Sequence, residues 1–112
     1  MSLSEEKCTP CHKGTPTLSV EESKALLAEL GGGWALSTNG HLERDYRFKD
    51  FAAALVFANA AGKIADEQGH HPELHVGWGH CRVEIWTHAI SGLSRADFVL
   101  AARIARSYFV AV

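Results

Sequence analysis

The chain has 112 residues, 46% of them hydrophobic, which suits one globular domain with one modest core. Its formal net charge is −2 with histidines neutral, and no Lys/Arg block interrupts it, so a nucleic-acid footprint is not indicated. No apolar run approaches the roughly 20 residues that span a bilayer, and Met1 to Lys13 lacks the apolar centre of a secretion signal, so a cytoplasmic protein is expected.

Residues 1–17 contain Pro10 and Pro16 and little periodicity, and they read as an arm or loop. The domain is expected to occupy residues 18–112. Cys8, Cys11 and Cys81 are odd in number, which argues against a disulfide framework. Cys8-Thr9-Pro10-Cys11-His12 matches the C-x-x-C-H pattern of haem attachment, but no export signal accompanies it. A zinc or redox role for Cys8, Cys11 and His12 and a plain reduced arm both remain open.

Ser19 and Glu22 form an S-x-x-E capping box ahead of Leu26, Leu27 and Leu30, and Gly31-Gly32-Gly33 stops the run. The spacing predicts a helix over 20–30. Trp34 to Thr38 reads as a strand, Asn39-Gly40 as a hairpin turn, and Leu42 to Phe48 as the alternating return strand. Asp50 caps an amphipathic helix over 51–68, in which Ala54, Phe57, Ala61 and Ile64 share a face, and Gly69 ends it. Leu74, Val76 and Trp78 alternate as a third strand. Gly79-His80 is the expected turn, and Cys81 to His88 the fourth strand. Ser94 and Asp97 start a last helix over about 95–110. The expected class is α+β in the order α-β-β-α-β-β-α, a four-stranded antiparallel sheet with helices packed on one face.

The chemistry concentrates between residues 66 and 97. His70 and His71 follow a helix C-terminus, whose partial negative charge favours imidazolium. His88 stands near the end of the expected fourth strand. Imidazoles converging on one pocket can donate and accept protons without a cofactor. Trp34, Trp78 and Trp86 offer flat walls for an aromatic ligand. A zinc site is the rival reading of the three histidines, although adjacent side chains in extended chain point apart and rarely reach one ion. Each residue also has a bland reading. His12, His41, His75 and His80 read as surface histidines, Asp97 as a capping residue, and Asp66 with Glu67 as a solvated helix face.

Asp66, His70-His71-Pro72, Trp78, Thr87-His88, Gly92-Leu93 and Asp97 together resemble the signature of the pterin-4a-carbinolamine dehydratases. Gly33-Trp34 and Phe48-Lys49-Asp50-Phe51 resemble further segments of that family, and the likeness covers roughly residues 18–110. Leu74 departs from the family's frequent tryptophan, and Gly77-Trp78-Gly79 departs from its usual Val-Tyr-Asn; both leave the histidines intact. The resemblance implies removal of water from a 4a-hydroxy-tetrahydropterin to give a quinonoid dihydropterin. It implies catalytic roles for His70, His71 and His88, and substrate contacts from Asp66, Pro72, Trp34, Thr87 and Asp97. It implies no cofactor, no metal, a pterin small molecule as substrate, and a homodimer or homotetramer. Two other functions stay open: a protein-binding role, because animal members bind the dimerisation domain of a homeodomain transcription factor, and a divergent pterin role linked to molybdopterin metabolism.

Overall fold

The computed structural model describes residues 2–9 and 14–111. Cys11 and His12 lie outside the described residues. Helix α1 spans Val20–Leu30, and its capping box is complete: Ser19 Oγ accepts from the Glu22 N–H at 3.1 Å and Glu22 Oε1 from the Ser19 N–H at 2.8 Å. Strand β1 is only Ala35–Leu36, shorter than the expected Trp34–Thr38. The reason is the turn. The Gly40 N–H donates to the Ser37 carbonyl at 2.9 Å and the Ser37 N–H to the His41 carbonyl at 2.8 Å, with Gly40 at φ 79°. This is a three-residue loop over 38–40, closed by a left-handed glycine and flanked by Ser37 and His41, and the regular register ends at Leu36.

Strand β2 is Leu42–Arg47, helix α2 Phe51–Gln68, strand β3 Glu73–Gly77, strand β4 His80–Ile85 and helix α3 Arg95–Ala111. Asp50 caps α2 by accepting from the Ala53 N–H at 2.8 Å. The β3–β4 turn is Trp78-Gly79, one residue earlier than Gly79-His80, because Gly77 and His80 pair as its flanks. Among the described residues the four strands form one antiparallel sheet in the order β1-β2-β4-β3.

The period-two pattern decides the faces. Leu42, Tyr46, Cys81, Val83 and Ile85 are buried in one core with Phe57 and Ala61 of α2 and Phe98, Leu100 and Ile104 of α3. The other sheet face is charged. Glu43, Glu84 and Glu73 stand opposite one another across β2, β4 and β3, and Arg82 reaches both Glu43 and Glu84 at 3.4 Å. Leu3, in the segment read as an arm, is 3% exposed within the core, and a one-turn 3-10 helix, Leu3–Glu5, carries it. No periodicity announced this contact, because its partners lie far along the sequence.

Burial pushes the Tyr46 hydroxyl from 10.0 up to about 12 and the Cys81 thiol from 9.0 up to about 11. Both groups hold their protons more tightly in the folded chain than in the unfolded one. Their stabilising contribution is therefore complete below about pH 9 and is lost as the pH rises toward 11–12. Thermal unfolding followed from about pH 8 to about pH 11 should show a falling Tm; a flat profile would contradict the assignment.

Candidate active site

Gly69 ends α2 in the left-handed conformation, φ 64° and ψ 28°, with its N–H on the Ala65 and Asp66 carbonyls. A side chain with a Cβ is disfavoured there. The reversal sends His70 inward, and the Pro72 ring holds His71 extended. The two histidines diverge as adjacent extended residues must. His70 Nε2 lies 2.5 Å from Asp97 Oδ1, whereas His71 Nε2 lies 3.0 Å from Asp66 Oδ1 at the surface.

Asp97 is fully buried. Its Oδ2 accepts from Thr87 Oγ1 at 2.9 Å and from the Ser94 N–H at 2.8 Å. Its capping role and its contact with the histidine site are thus both present: one oxygen holds the start of α3 and the other holds His70. An ionised, acceptor-only carboxylate at that place makes His70 Nε2 the donor, and in the neutral ring Nδ1 is then the acceptor.

His88 does not end a strand. β4 stops at Ile85, and the Thr87 N–H donates to the Gly92 carbonyl at 2.8 Å. This pairing closes a small loop in which His88–Ile90 form a 3-10 turn and Ser91 takes φ 49°. The loop lifts His88 off the sheet. Its ring stacks on Trp86 at 4.3 Å, and Trp86 stacks in turn on His41 at 3.9 Å and 5°. Glu84 Oε2 accepts from His41 Nδ1 at 2.7 Å, a bond that holds the Glu84 carboxyl below the usual range. The sequence treated His41 as an ordinary surface histidine; only the register of β2 on β4 places it under Trp86.

These elements enclose a cleft of about 300 Å³ lined by His70, His71, His88, Thr87 and Trp86, with Gln68, Gly69, Ala89, Cys8 and Thr9 completing the wall. His71 also borders a neighbouring hollow of about 500 Å³ that carries Asp66, Pro72 and Lys63. Asp66 and Pro72 therefore flank the cleft through His71 rather than lining it. Trp34 lies apart, 6% exposed and edge-on to Tyr46 in the core, and Trp78 is 73% exposed on the β3–β4 turn. Of the three tryptophans, Trp86 is the one in the cleft wall. A hollow of about 470 Å³ between the arm, α1 and α3 is lined by Leu3, Leu30, Ala102 and Arg106 and holds none of the histidines.

Glu73, His75 and Glu84 on the charged sheet face bring their ligand atoms within 4.8 Å of one another, the spacing of a candidate cation site. Glu84 is already engaged there by His41 and Arg82. No helix among the described residues is long and apolar enough to cross a membrane.

The cleft can bind a flat heterocycle against Trp86 and His88 and move protons at its edge. Comparison with known proteins places the chain in a family. The model of the family described as pterin 4 alpha carbinolamine dehydratase matches residues 16–107. A protein of Rickettsia canadensis (strain McKiel) assigned as a pterin-4-alpha-carbinolamine dehydratase is 51% identical over 91% of this chain and 94% of its own. One of Alkaliphilus metalliredigens (strain QYMF), assigned likewise, is 43% identical over 92% and 93%. A crystal structure described as a transcriptional coactivator/pterin dehydratase from Brucella melitensis superposes with a TM-score of 0.75 at 27% identity, covering 81% of this chain and 97% of that one. With the family match spanning every histidine of the cleft, the chain belongs to the pterin 4 alpha carbinolamine dehydratase family.

Proposed function

We propose that the protein dehydrates 4a-hydroxy-tetrahydropterin to quinonoid dihydropterin and water by histidine acid/base catalysis, in the recycling of the cofactor of aromatic amino-acid hydroxylases. The observation that carries this reading is the convergence of His70, His71 and His88 on one cleft beside a buried carboxylate. The C4a–O bond breaks as the hydroxyl takes a proton and leaves as water, while N5 loses its proton and the C4a=N5 bond forms. One group must give a proton and another must take one. His71, on the solvent-facing side, protonates the departing hydroxyl. His88 accepts the N5 proton, with its ring plane set by Trp86. His70, pinned by Asp97, orients the substrate through Nδ1 and shares the accepted proton. Dissociation of product and exchange with solvent restore all three. No step asks for a metal.

A protein-binding role is the second reading. Phe51, Leu55 and Val56 of α2 are about half exposed, an apolar surface of the kind that marks contact with a partner. One assay separates the two. A phenylalanine hydroxylase generates the 4a-hydroxy-tetrahydropterin, and its absorbance decay is followed with and without this protein and with EDTA. Accelerated decay that survives EDTA is the expected result. Decay at the background rate would reject the enzyme and favour the binding protein.

A further inference from the structure

The Cys8-Thr9 segment belongs to a motif that the proposed reaction does not use, yet it lies in the cleft wall. The family match begins at residue 16, so the segment stands outside the part of the chain that the match covers. It is also strapped down. Leu3 anchors it in the core. The Glu6 carboxylate takes both Arg95 Nε, at 2.9 Å, and Arg95 Nη2, at 2.7 Å. The Glu6 carbonyl accepts from Arg103 Nε at 2.6 Å and the Ser4 carbonyl from Arg106 Nη1 at 3.3 Å. Three arginines of one helix thus hold three residues' length of arm in register.

Cys8 is then tied on two sides. Its N–H donates to Gln68 Oε1 at 3.0 Å, and its Sγ–H to the Ala96 carbonyl at 3.5 Å. Gln68 stands two residues before His70, and Ala96 one residue before Asp97. The arm is therefore fastened to the same two segments that hold the histidine–carboxylate pair. A loosely attached tail has no such fixed relation to the site.

We propose that Cys8 and Thr9 form a built wall of the substrate site that contacts the substituent a pterin carries beyond its fused rings. This rests on the dehydratase reading above. The cleft, at about 300 Å³, is at the small end of ligand pockets, so the fused rings against Trp86 and the histidines occupy much of it. Beside them the wall carries Gln68, Thr87 and Ala89 and the arm's small thiol and hydroxyl-bearing side chains, and these last two suit a short hydroxylated chain. The arm sets which pterin is held; the histidines set how fast it reacts.

The test uses the full chain carrying Cys11→Ser, in which Cys8 is the thiol open to reagent, because Cys81 is fully buried. Alkylation of Cys8 by iodoacetamide is followed by intact mass, with and without 7,8-dihydrobiopterin, whose binding is measured separately by quenching of tryptophan fluorescence. At ten times its Kd the pterin should slow alkylation by about tenfold, as mass action requires of a shielded group. A second measurement covers loss of fold in any one variant. Thr9→Trp should raise KM about tenfold or more for a substrate with the dihydroxypropyl chain, and less for the 6-methyl analogue. If the pterin binds but Cys8 reacts at the same rate and Thr9→Trp treats both substrates alike, the wall is rejected while the dehydratase stands. If the wild-type chain neither binds nor turns over a pterin, both readings fall.

Discussion

Replacing His71 or His88 by alanine is expected to lower the dehydration rate by about 10²-fold or more, the usual contribution of a positioned proton-transfer group. The expectation follows from the cleft. Both rings line it: His71 has a 62% exposed side chain paired with the exposed Asp66, and His88 rests on Trp86. For the same reason His71→Ala should leave stability within about 0.5 kcal/mol of wild type, as surface substitutions generally do. Steady-state turnover and thermal melts of the same samples read the two quantities together. A loss of only a few-fold at both positions would remove these residues from proton transfer.

Asp97→Ala is expected to damage stability and rate at once. The residue is fully buried, and its removal leaves the Ser94 N–H and the His70 ring without their acceptor and the Thr87 hydroxyl with Ser94 Oγ in its place. An unsatisfied buried donor costs about 1–3 kcal/mol, and breaking a buried network of this kind about 3–5 kcal/mol. For a chain of this size that is a fall in Tm of roughly 10 °C or more. Asp97→Asn separates the two roles. Its carbonyl still accepts from Thr87 and Ser94, so the start of α3 is kept. Its amide then faces His70 Nε2 as a donor and forces the opposite tautomer. The expected result is a near-normal melt with turnover reduced by about 10²-fold or more, the kind of loss a misassigned tautomer brings to an acid/base site. A folded Asp97→Asn protein with wild-type turnover would show that His70 needs no orienting carboxylate.

The limits of α1 and α2 were legible because the signals that set them are local. Ser19 with Glu22, Asp50, Gly31 and Gly69 act on backbone within one turn, and the two helices run over the expected residues 20–30 and 51–68. The strands were legible in number and order but not in length. β1 ends at Leu36 ahead of a glycine-closed loop, and β4 loses Trp86 to His88, because ladder membership depends on what the neighbouring chain pairs with.

The histidines at 70, 71 and 88 were legible as chemistry and as the signature of a family, and that much the amino-acid sequence determined by itself. Tertiary structure decided where they stand and what they touch. It set Asp97, 27 residues from His70, under that ring and not merely at a helix start. It chose Trp86 over Trp34 and Trp78 as the cleft's wall, because alternation assigns faces only once register is known. It brought His41 beneath Trp86 and Cys8 to the rim, contacts made across 45 and 60 positions of chain that no local pattern encodes. Caps and periodicity act within a few residues; a site assembled from an arm, a helix end and a loop exists only when packing brings them together.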